Sequence, residues 1–265
     1  MSRGLGVTPM QPPSPSRNTT YGEWPNERAR TSVPGSASLV GEHLVRGTYT
    51  PDIRFNLAPN QDFLGPLQLT TNSVGPTGSA LLGWNLLPGS QGFLATAIGG
   101  GEGGGPGGGG SDTIVIWTSS EVQASAFSLP DYLTPADLAR LVANHALMSP
   151  QTTTCTIPRE VVQAAPHALV QLVAYGAETN LSYPPRPADP RTPWNIDWTV
   201  KVRYKSQTGG ILGMTMPGAG GRSPYGDDGE GMGRNGPAQP GARKPPGLPG
   251  LGGAILKGIV KIPGN

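Results

Sequence analysis

The side chains best suited to covalent or metal chemistry are few: one cysteine and three histidines in 265 residues. Cys155 stands in Thr153-Thr154-Cys155-Thr156-Ile157-Pro158. A catalytic thiolate needs an adjacent base or a positive field, and His43, His145 and His167 are scattered singly. Folding could still bring His145 or His167 to Cys155, but the residue reads better as a small buried side chain. One cysteine makes neither an internal disulfide nor a cysteine-based metal cage. Without an HxxxH or HxH spacing the histidines form no metal-binding pattern. The acids are spread as thinly. Asp227, Asp228 and Glu230 do cluster, yet in glycine-rich chain that cannot hold two carboxyl groups at the separation a hydrolase requires. The run from Gly99 to Gly110 has glycines enough for a dinucleotide fingerprint. A phosphate cradle needs a helix N-terminus behind it, whereas this run lies between two strand-like segments and reads as a hairpin loop. No catalytic residue, cofactor or metal ligand is expected.

Side chains suited to binding are easier to find. Trp117, Tyr183 and Trp194 would make a stacking platform for a sugar or small ligand if exposed. Pro184-Pro185-Arg186-Pro187 has the composition of a polyproline ligand, though a loop lying on its own domain needs the same residues. Near the C-terminus Ile255, Leu256, Ile259 and Val260 are interrupted by Lys257 and Lys261. That spacing suits a short amphipathic segment contacting a protein partner or a membrane surface. Lys201, Arg203 and Lys205 alternate as on the solvated face of an outer strand.

The elements that must position these residues are mostly strands. Ala37–Val45 and Tyr49–Leu57 have strand composition, and Ile53, Phe55 and Leu57 alternate with Arg54 and Asn56. Leu67–Thr71, Ala80–Leu86, Gly92–Ile98 and Asp112–Thr118 follow, separated by turns such as Gly75-Pro76-Thr77-Gly78 and Pro88-Gly89-Ser90. Ala168–Tyr175 is almost continuously apolar, as a central strand buried on both faces would be. In Trp198–Lys205 the residues Trp198, Val200, Val202 and Tyr204 should face a core. Between about 121 and 166 the pattern becomes helical. Thr134-Pro135-Ala136-Asp137 supplies a capping hydroxyl, a first-turn proline and an acid, and Ser149-Pro150 would stop the run. A shorter helix is predicted over 158–165.

The order Leu82-Gly83-Trp84, Pro88-Gly89, Gly92-Phe93-Leu94-Ala95 resembles the second and third strands of fibronectin type III-like sandwiches, with His167–Tyr183 and Trp198–Ser206 as the last two strands. The resemblance covers about 66–206. It implies that Trp84 fills the core between two sheets and that Phe93 opens the next strand. It carries over no catalytic residues, since the family binds proteins and sugars or acts as a spacer.

The fold class expected is mainly β: an antiparallel β-sandwich, fibronectin III/immunoglobulin-like, with a small helical insertion at about 121–166 and long disordered termini. The domain would span 32–215, between an arm over 1–31 and a tail over 216–265. The arms rest on composition. The 41 Gly and 30 Pro, with 35% hydrophobic residues, leave too little apolar area to order the whole chain. Net charge is only +2, and the dilute cations of the tails do not suggest nucleic acid. The function expected is non-catalytic: a structural or interaction protein docking a protein partner or its own copies as a homo-oligomer, in a cell-envelope or surface assembly. A small-ligand or carbohydrate-binding module is the first alternative, and a hydrolase with a site near the helical insertion the second. No secretory signal is visible at the start, so an envelope or secreted placement competes with a cytoplasmic one.

Overall fold

The computed structural model describes residues 17–24, 34–47, 50–100, 114–122, 129, 133–214 and 258–261. In chain order the elements are β1 (Tyr21–Trp24), β2 (Gly41–Gly47), β3 (Thr50–Leu57), β4 (Leu69–Val74), β5 (Ala80–Trp84), β6 (Ser90–Gly100) and β7 (Ile114–Thr118). Then come α1 (Pro135–Ala143), β8 (Thr154–Ile157), α2 (Arg159–Ala164), β9 (Leu169–Tyr183), β10 (Trp198–Ile211) and β11 (Gly258–Lys261). The protein is mainly β and its strand pairings are antiparallel. A six-stranded sheet has the order β1-β11-β10-β9-β6-β7, a three-stranded sheet the order β4-β5-β8, and β2-β3 form a separate pair.

Period-2 alternation decides which side chains each face buries. Phe93, Ala95 and Ala97 of β6 and Val170, Leu172 and Ala174 of β9 meet Leu82 and Trp84 of β5 and Ile157 of β8 in one cluster. The intervening residues Leu94, Val173 and Tyr175 turn to the other face and meet Leu138 and Leu141 of α1. Ile53 and Leu57 of β3 pack against Val200, Val202 and Tyr204 of β10. The Trp84 and Phe93 rings lie 5.6 Å apart, centroid to centroid. Phe93 is the fourth residue of β6 and does not open it, and the sheets hold six and three strands where the family arranges four against three.

One irregularity controls the parity of β9. Glu178 pairs with Arg203 and Tyr175 with Lys205, so two residues of β9, Gly176 and Ala177, oppose Tyr204 alone. A Cβ on Gly176 would lie 2.7 Å from Tyr204 Cβ, so the bulge requires glycine there. Beyond it the alternation is reset, and Glu178 faces the same side as Tyr175.

Helix α1 begins as its sequence predicts: Thr134 Oγ1 accepts from the Asp137 amide at 3.1 Å, and Pro135 occupies the first helical position. It ends earlier than Ser149-Pro150. His145 takes a positive φ of 57°. The Ala146 amide then bonds to Leu141 O at 2.8 Å and the His145 amide to Val142 O at 3.0 Å. These are the two bonds of a Schellman ending.

Three other expectations need correction. The segment 121–166 is more than a helical insertion, because β8 within it pairs with β5 and completes the three-stranded sheet. The arm and tail each contribute a strand: β11 lies between β1 and β10, while the rest of both arms falls outside the described residues. Strand β10 is consequently interior, not outer, and Arg203 is buried instead of solvated.

Candidate functional site

The residues nominated for chemistry do not converge. Cys155 lies on β8, partly buried against the core, and burial pushes its thiol above the usual value, which disfavours the nucleophilic thiolate. His43 Nε2 donates to Leu39 O at 2.6 Å, and its ring stacks on Phe55. His145 sits 3.7 Å from Glu121 at the surface, and His167 is exposed before β9. Among the described residues no three His, Cys, Asp or Glu side chains form a metal-holding group. No described helix is long and apolar enough to cross a membrane.

The most buried charges form a structural pair. Arg203 Nε donates to Glu178 Oε2 at 2.5 Å, and Lys201 Nζ lies 3.7 Å from the other carboxylate oxygen. Burial pulls the Arg203 guanidinium down to about 9, opposed by the field of Tyr21, so it is still charged at neutral pH. Tyr21, itself buried on β1, donates to Glu23 at 3.0 Å, and desolvation raises its phenol above the ordinary tyrosine value. Glu178 thus neutralises cations within the fold.

The aromatic residues separate into two places. Tyr183 ends β9, and Trp194 lies in the β9–β10 connection. There Trp194 Nε1 donates to Pro184 O at 2.9 Å and Arg186 stands 5.7 Å from its ring centroid. The proline-rich stretch is thus a loop bonded to its own domain. Tyr183 is 53% exposed and stacks on Trp198 at 5.9 Å. Trp117 is elsewhere, on β7, and turns inward to pack against the core with Val115. Ile259 and Val260 lie within β11, at register positions opposite Lys201 and Val200. Ile255 and Leu256 fall outside the described residues.

An apolar sheet edge among the described residues is that of β7. Among the described residues β7 pairs with β6 alone. Its sequence Ile-Val-Ile-Trp-Thr contains no charge and no proline, the usual devices for protecting an edge. With Val115 and Trp117 inward, Ile114 and Ile116 point outward and are 70% and 46% exposed. Strand register extends this surface across the sheet. Ile116 is opposite Ile98, Ile98 opposite Leu169, and Leu169 opposite Ile211, with Leu169 50% and Ile211 37% exposed. Four aliphatic side chains therefore form one row running to an open edge, beyond the part of the same face that α1 covers. In the sequence Trp117 stands out from this strand and its neighbours do not. Four successive apolar residues alternate equally well in either phase, so the outward pair is not apparent from the pattern. A comparison with family models and with curated proteins finds no match.

Proposed function

We propose that this chain is a non-catalytic structural or interaction protein, its sheets packed as a sandwich that docks copies of itself or a protein partner, in a cell-envelope or surface assembly. The observation that carries this is the aliphatic row ending at the unprotected β7 edge. Contiguous apolar surface and an unpaired strand mark contact sites on soluble domains. The test is the size of the full chain by sedimentation from about 1 μM to about 100 μM, the range in which a modest interface forms. Mass rising with concentration is expected, and a monomer across the whole range overturns the proposal. A second function, binding a sugar or small ligand, is favoured by the half-exposed Tyr183 stacked on Trp198. It requires that a saccharide panel quench tryptophan fluorescence saturably, and that Tyr183→Ala abolish the quenching.

A further inference from the structure

We propose that two copies of this chain join edge to edge through β7, about a two-fold axis passing beside Ile116. This rests on the assembly function above and names the partner as a second copy. Antiparallel pairing of β7 with its copy sets opposite one another residues equally displaced from the axis: Ile116 with Ile116, Val115 with Trp117, and Ile114 with Thr118. Directly opposed residues share a face in such a pair. The core-facing side then gains a β-branched residue beside an aromatic, a favourable cross-strand combination. On the outward side the row Ile211, Leu169, Ile98, Ile116 meets its own copy at the axis and continues through it.

The two six-stranded sheets become one of twelve strands, and the backbone groups of both edges, unpaired among the described residues, are satisfied together. The contact is isologous, as closed two-fold assemblies require. Charge permits it as well. β7 itself carries no charged residue, so the two-fold sets no acid opposite acid within the strand. The remaining edges are less suited. β1 carries Glu23. Asn72 of β4 is engaged with Ile211 O at 2.8 Å and the Gly213 amide at 3.0 Å, and β8 exposes threonines. Five paired residues per copy make a small interface beside the roughly 1,200–2,000 Å² of stable complexes. Affinity in the micromolar range is therefore expected, adequate where the contact is repeated in an assembly.

The experiment uses the full chain with Cys155→Ser, adding either Ile116→Cys or Ile114→Cys, oxidised and run without reductant. Opposed residues in an antiparallel pair have Cα atoms about 4.5–5.5 Å apart, within the range of a disulfide. The two copies of residue 114 would be four positions apart along the strand, about 13 Å, and out of reach. Ile116→Cys is expected to cross-link to dimer at least tenfold faster than Ile114→Cys. Ile116→Lys, at the same exposed position, should weaken association at least tenfold. Equal cross-linking at both positions, or at neither while the chain still associates, overturns the β7 dimer and leaves the assembly function standing. A chain that stays monomeric at every concentration overturns both.

Discussion

His145 holds the left-handed conformation that closes α1, at a position where glycine is the common solution. Its side chain is exposed beside Glu121, so little packing offsets the strain of an L-residue there, about 1 kcal/mol. His145→Gly is expected to raise stability by up to about 1 kcal/mol in urea unfolding; a loss would show that the contact to Glu121 outweighs the backbone. Asp62 poses an electrostatic question. It accepts from the Leu39 amide at 2.6 Å, the Ser38 hydroxyl at 2.7 Å and the Phe63 amide at 2.7 Å. These bonds, that from Leu39 foremost, hold its carboxyl below the usual aspartate value. Stability contributed by a carboxylate with a depressed pKa is complete above its ordinary value and is lost as pH falls through the lowered one. Between about pH 6 and about pH 2 the melting temperature of the native chain should therefore fall further than that of Asp62→Asn. Equal slopes would mean that these bonds do not couple to folding.

At the scale of elements, packing between β5 and β6 and the bulge in β9 do most to define the architecture. Trp84→Ala should cost about 3–5 kcal/mol, since the side chain fills the space between two sheets. Gly176→Ala should cost about 1–3 kcal/mol, because its methyl would meet Tyr204 with no room to relax outward. A neutral result at either would mean that the strand pair is arranged differently. These elements also show what the sequence makes legible. β3, β5, β6, β9 and β10 announce themselves through local alternation or an apolar run flanked by turns, and the start of α1 through its capping residues. β8 does not. Thr154-Cys155-Thr156-Ile157 has one fully buried apolar residue, and it is a strand because β5, seventy positions upstream, offers a partner. The end of α1 was hidden for a related reason: Ala146, Leu147 and Met148 keep the chain apolar past the turn at His145. At the candidate contact surface the strand was legible, but the phase was not. Ile114 and Ile116 became the outward pair through packing of Val115 and Trp117 against distant residues.

Over the whole molecule, order in the principal sheet depends on residues far apart in the chain. Among the described residues β10 has an outer neighbour because β11 supplies it, and β1 pairs with β11 alone. Deleting 258–261 should lower amide protection of residues 199–201 at least about tenfold, equivalent to about 1.4 kcal/mol. It should leave protection in β5 and β6 unchanged; a uniform loss throughout would mean that the fold is one indivisible unit. The position of β11 also imposes a timetable during synthesis. β1 leaves the ribosome 234 residues ahead of the first residue of β11, an interval of about 10–50 s at about 5–20 residues per second. Through that time the nascent chain carries β10, once made, as an exposed border and β1 as a strand with nowhere to dock. A newly made molecule can therefore pack its interior around Trp84 and Phe93 well before it closes its outermost sheet. A ribosome-bound intermediate with a formed core and an unfinished margin would be exposed to chaperones or to neighbouring nascent chains on the same messenger.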